Sequence, residues 1–431
     1  MRILRPFQEF IKLEASGGIL LLLFTVVALF WANSPWSSSY FSIWETQVKF
    51  GVGSFLLNKP LILWINDGLM AMFFFVVGLE IKREVLAGEL SSPKQAALPI
   101  AAALGGMVVP AALYSTLNAG RTGAAGWGIP MATDIAFALG ALALLGKRVP
   151  VSLKVFLTSL AIVDDIGAVV VIALFYTSQI YWSNLIVGAF FLLALLVANR
   201  AGVRNPILYA VLGIGGLWLA FLMSGVHATI AGVLAAMTIP AGTGIGKEEF
   251  VKKGRNLLDE FEGAAEGDVF VSTQQRKAAE EIESASKLAQ SPLQRLVHAL
   301  HPWVIFGVMP LFAFANAGVV FDENLAETFT NPVAMGILLG LVLGKQVGVT
   351  LFSWLSVRIG VAALPPGIKW LQVYGIGWLA GIGFTMSLFI AGLAFEDPQL
   401  LSVAKLGILS ASVIAGVVGW AILRGNSNID R

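Results

Sequence analysis

A chain of 431 residues with 57% hydrophobic side chains, only 13% charged ones and a mean hydropathy of +0.81 is far too apolar for a water-soluble domain. Its formal net charge of +2 gives no footprint for nucleic acid, and the absence of cysteine removes disulfides, thiolate metal sites and thiol nucleophiles together. What remains is a polytopic, all-α membrane protein.

Stretches long enough to cross about 30 Å of hydrocarbon as a helix, roughly 20 residues each, can be placed twelve times. They lie near 13–31, 60–86, 95–117, 124–145, 150–175, 182–199, 205–221, 223–241, 299–320, 332–357, 371–393 and 400–424. The first continues as LLLFTVVALFW without a small-residue cleavage site and is read as a retained span. After it, TQVKFGVGSFLL alternates irregularly around glycines, which predicts a short outer hairpin at 41–59. The second span carries Asp67 near its outer end and Glu80, Arg83 and Glu84 at its cytoplasmic end, where charges ordinarily act as solvated anchors.

The fourth span contains GIPMATDIAFALG, and its proline removes a backbone donor, so the helix should break or unwind near Pro130. Thr133 is a good capping side chain, and Asp134 falls where the positive end of a second half-helix would lie. Together they offer oxygens to a cation. The fifth span holds the most informative feature, Asp164 and Asp165 side by side within LTSLAIVDDIGAVVVIALF. An aspartate at the centre of a membrane helix costs about 2.5 to 3.5 kcal/mol, so neighbouring ones need partners or a water-filled cavity.

His227 lies early in the eighth span, and His298 and His301 lie at the start of the ninth; a lone buried histidine is usually a satisfied structural one. Between them, 243–292 holds ten acidic and seven basic residues and predicts a mobile cytoplasmic loop with one solvated helix over TQQRKAAEEIESASKLAQ. Lys345 sits near the centre of 332–357, too deep to snorkel, so its ammonium should seek a carboxylate. Adjacent aspartates point about 100° apart on a helix, so one can pair with Lys345 while the other faces a cavity. In the eleventh span, four glycines interrupt YGIGWLAGIGFTMSLF, as close packing or as a second break near 375–383.

Lysines and arginines crowd onto one side of this arrangement; only Lys49, Lys59, Arg121 and Lys405 fall on the other, with Lys345 inside a span. Basic loops stay in the cytoplasm, which places both termini there. The chain thus divides into membrane block 1–242, charged segment 243–292 and membrane block 293–431. Spans three to five and ten to twelve form two groups of three, each with a broken middle member. An odd number inserts the second copy upside down, so these are predicted as two inverted three-helix repeats whose broken helices cross at the midplane.

The strings ATDIAFALG, SLAIVDDIGAVVVIALFYT, SGVHATIAGV, PLFAFANAGV, LGKQVGVT and GIGFTMSLFIAGLAF closely resemble the NhaA family of bacterial sodium/proton antiporters, from about residue 7 to 241 and 293 to 424. That family is itself a known inverted-repeat example. The resemblance implies that Asp165 is the principal sodium ligand, that Asp164 is linked to Lys345, and that Thr133 and Asp134 balance helix dipoles and help bind the cation at an unwound crossing. It implies exchange of two protons for one sodium or lithium ion, a homodimer using the 41–59 hairpin, and a bacterial inner-membrane location. The ions are cargo, and no cofactor is implied. Glu80, Arg83 and Glu84 match a pH-responsive cluster, with His227 a further candidate sensor. Val297 replaces a glutamate that some members carry before the first histidine of VHALHPW.

Carboxylates in a cavity hold either protons or a hard cation, and mutually exclusive occupancy suffices for exchange. An intramembrane aspartyl protease would resemble a Tyr-Asp and Gly-x-Gly-Asp pairing, whereas this chain has Thr-Asp and Asp-Asp. The nearest imitation of a phosphate loop, GLVLGKQ at 340–346, has the wrong spacing for an ATP-driven pump. A channel or a cation symporter could use the same ligands as an antiporter.

Overall fold

A computed structural model describes residues 5–52, 55–177, 179–264, 271–321 and 325–425; Arg2 and Arg431 of the charge pattern lie outside them. Helix α1 (Arg5–Ala32) is followed at 113° by α2 (Ser37–Glu45) and then by an antiparallel ribbon, β1 (Gln47–Val52) with β2 (Phe55–Pro60). Next come α3 (Leu61–Ala87), α4 (Pro93–Asn118), a 3-10 segment Thr122–Met131, α5 (Ile135–Ala143), α6 (Val151–Phe175), α7 (Trp182–Arg200), α8 (Pro206–Leu222) and α9 (Ala228–Thr238). The charged segment 243–292 supplies α10 (Lys247–Gly263) and α11 (Thr273–Ala289). The chain ends with α12 (Pro292–Asn316), α13 (Pro332–Arg358), α14 (Trp370–Ala380), α15 (Phe384–Ala394) and α16 (Pro398–Gly425).

Seven of these helices are long and apolar enough to cross a membrane, ten if each bent pair counts as one span. Four start from the same local chemistry. Ser92, Asn205, Ser291 and Asn331 each accept a backbone N–H from the first turn, and a proline follows each one, where its missing donor costs nothing. The face of α7 that carries Ile186, Phe190 and Val197 is exposed; apolar surface of that extent is stable only against lipid.

Three expectations need correction. Residues 41–45 are helical, so the ribbon is confined to 47–60, and the fold is all-helical apart from it. The stretch 223–241 is helical only from Ala228, because Gly225 takes φ +80° in a turn that Ser224 closes. The segment 243–292 contains two helices, α10 and α11, packed against each other; residues 265–270 lie outside the described ones. Dense charge on α10 hid the apolar edge that buries Leu257, while Ser272 and Gln275 form a capping box that starts α11. On α11 the exposed Glu283 pairs with Lys287 one turn on, which holds its carboxyl below the usual range.

The core of the membrane block is built by close backbone approach. At Gly105 a side chain would run into the carbonyl of Gly348, and at Gly348 into that of Gly105, so α4 and α13 pack with almost nothing between them. This contact, together with a π-helical stretch at Gly340–Gly344, sets Lys345 deep within the protein at 0% exposure.

Candidate functional site

The 3-10 segment Thr122–Met131 and α5 meet at 43° across an extended Ala132–Thr133–Asp134 linker, and α14 and α15 meet at 45° across Gly381–Ile382–Gly383. An interrupted helix leaves its own N–H and C=O groups without partners, which hydrocarbon does not tolerate. Here each break satisfies the other. The Asp134 N–H donates to the Ile382 carbonyl at 2.6 Å, the Thr133 hydroxyl to the Ala380 carbonyl at 2.8 Å, and the Ser387 hydroxyl to the Ile129 carbonyl at 2.8 Å.

Asp134 is fully buried and serves two helix starts at once. Its Oδ1 accepts from the Phe137 N–H of α5 at 3.1 Å, and its Oδ2 accepts from the backbone and hydroxyl of Thr385 in α15 at 3.0 and 2.5 Å. One carboxylate thereby answers the positive ends of two half-helices. Thr133 is therefore not the cap; Asp134 caps α5, and Thr133 ties its segment to α14.

The aspartate pair lies beside this crossing on α6. Asp164 and Lys345 form an ion pair at 2.7 Å with both side chains sealed from solvent, and Lys345 also donates to the Met131 carbonyl, the last of the 3-10 segment. The other oxygen of Asp164 has no hydrogen-bond partner, although Thr133 lies beside that carboxylate. Asp165 is 2% exposed, and its carboxylate has no hydrogen bond or ion pair among the described residues. Asp164, Asp134, Glu80 and Lys345 are near enough to act on it electrostatically. The adjacent residues thus differ sharply: one is held by a lysine, the other is unengaged. Among the described residues no three His, Cys, Asp or Glu side chains converge as a metal cage.

The residues read as a pH cluster are not brought together as one. Glu80 is buried and pairs with His301 of α12 at 3.0 Å, whereas Arg83 pairs with Glu84 at 3.1 Å, and Glu84 also accepts the Glu89 N–H. His227 lies at the start of α9 with Nε2 2.6 Å from the Tyr176 carbonyl. Asp67 is paired with Lys59 of the ribbon at 3.1 Å. Sequence reasoning missed Thr385 and the Glu80 to His301 pair. For Thr385 there was a signal, since a hydroxyl directly after GIGF stands at the positive end of whatever helix follows the break.

Lys345→Ala strands a buried carboxylate and lowers thermal stability, while Lys345→Met combined with Asp164→Leu restores part of the loss. The expected coupling is roughly 0.5 to 3 kcal/mol in a double-mutant cycle. Strictly additive melting shifts would show that the two do not touch.

A helical fold with buried charges at the meeting of two interrupted apolar helices defines a polytopic membrane protein with an intramembrane ionisable site. Residues 8–423 match the family model described as Na+/H+ antiporter 1. The chain is 56% identical over 425 residues to the Na(+)/H(+) antiporter NhaA of Oleidesulfovibrio alaskensis, covering 98% of this chain and 94% of that one. It is 52% identical over 421 residues to the NhaA protein of Koribacter versatilis, covering 98% and 91%, and 52% identical over 421 residues to NhaA 2 of Syntrophotalea carbinolica, covering 97% and 96%. The chain belongs to the NhaA family of Na+/H+ antiporters, whose members are secondary transporters and not enzymes.

Proposed function

We propose that this protein exports sodium or lithium from a bacterial cell across the inner membrane in exchange for protons, two per cation, with both termini cytoplasmic. In this reading the chain has twelve spans in which two inverted three-helix repeats place the broken helices at the midplane. The observation that carries it is the unequal pair, Asp164 engaged by Lys345 and Asp165 unengaged, at 1% and 2% exposure. Asp165 is the principal ligand of the incoming cation. Asp164 joins it when released from Lys345, and Thr133 and Asp134 contribute polarity at the crossing. Protons and a hard cation compete for the same oxygens, so loading one discharges the other.

The second proton is carried either by Asp164 or by Lys345, whose pairing with Asp164 couples the two titrations. Glu80, Arg83, Glu84 and His227 adjust activity to pH, and two copies associate through the ribbon. The test is purified protein in proteoliposomes with a pH-sensitive dye inside. An outward sodium gradient should acidify the lumen, and reversing that gradient should reverse the proton flux. Flux that runs with the sodium gradient would indicate a symporter, and sodium flux without obligatory proton movement a channel.

A further inference from the structure

A groove of about 550 Å³ runs along the outside of the membrane block between α1, α5 and α16. Its size falls within the roughly 300 to 1,000 Å³ of small-molecule sites. Its walls are almost wholly apolar, Val26, Val413 and Val417 among them, and two residues of the second break, Ile382 and Phe384, line it. The wall hydroxyls are already engaged: Thr25 donates to the Leu21 carbonyl at 2.8 Å, and Ser412 accepts the Phe384 N–H at 3.2 Å. A polar ligand would find little to recognise along this length.

The groove's end is different. Trp420 closes it on α16, and the Arg424 guanidinium stacks 4.8 Å over that indole, one turn nearer the helix terminus. On the opposite wall α5 ends at Leu144, and the chain leads directly to the exposed Arg148. Each of these two walls thus leads in sequence to an arginine, Arg148 beyond Leu144 and Arg424 beyond Trp420.

We propose that this groove is a binding site for an anionic phospholipid of the cytoplasmic leaflet. One acyl chain occupies the apolar length, and the phosphate meets Arg424 and Arg148. The leaflet rests on the orientation proposed above. A tail seated there lies against Ile382 and Phe384, so the lipid bears directly on the break that faces Asp134.

The test uses the full-length protein in nanodiscs with a trace of phosphatidylglycerol carrying a diazirine midway along one chain, compared with phosphatidylcholine of the same tails. Cross-links are mapped by peptide mass spectrometry. Labelling of 409–420 and 22–29 by phosphatidylglycerol should exceed that of the lipid-facing Ile186 to Phe190 surface of α7 at least fivefold, and phosphatidylcholine should show no such preference. Gly416→Leu fills the groove, and because a Cβ there meets only Ile382 at 3.5 and 3.8 Å, it does so without forcing the helices apart. It should reduce groove labelling to the α7 level, and Arg424→Gln should do the same. Equal labelling of groove and α7, equal labelling by the two lipids, or labelling unchanged in Gly416→Leu would each overturn the proposal. Transport does not enter the readout, so failure of the antiport reading would be seen separately in the proteoliposome assay.

Discussion

Asp165→Asn abolishes sodium-dependent proton movement and leaves the protein folded, whereas Asp164→Asn abolishes it and also lowers the melting temperature. The distinction follows from the partners. Asp165 is buried without a hydrogen bond or ion pair among the described residues, so an amide there removes charge from the site and breaks nothing else. Asp164 is the carboxylate that Lys345 meets at 2.7 Å, and removing its charge leaves an ammonium stranded at 0% exposure. Breaking a buried pair from one side costs about 3 to 5 kcal/mol. Thermal unfolding in detergent, beside flux in vesicles, separates the two effects. Antiport at wild-type rate in Asp165→Asn removes that residue from the site, and equal melting temperatures for the two variants remove the ion pair from the stability of the fold.

Voltage should shift the equilibrium. If two protons replace one monovalent cation, each cycle moves one net charge, worth about 2.3 kcal/mol across 100 mV. The sodium ratio at which flux stops should then change about fiftyfold for each 100 mV imposed by potassium and valinomycin at fixed pH. A ratio indifferent to potential would mean one-for-one exchange, with a single proton site changing occupancy in each cycle.

Much of the site could be read from strings that violate their surroundings. A proline followed by Thr133 and Asp134, paired aspartates, and Lys345 each stand in apolar sequence where a charge or a missing donor is costly, and each lies at or beside the crossing. What could not be read was contact between distant parts. Asp134 and Thr385 are 251 residues apart, and nothing local to either says that one carboxylate serves both helix starts. Glu80 resembled an anchor at a helix end because charge at a terminus is usually solvated, yet His301 from a separate helix covers it. Helix α10 was obscured for a different reason, since a short charged helix gains its stability from a neighbour, here α11, which is itself legible in the sequence.

The hydrogen bonds from Asp134 to Ile382, from Thr133 to Ala380 and from Thr385 to Asp134 have a mechanical consequence. Each engages at least one backbone group that the break deprives of its helical partner, and that group would be stranded in hydrocarbon if the breaks came apart, at several kcal/mol apiece. The two breaks are therefore held together as a single unit, and separating them would cost all of these bonds at once.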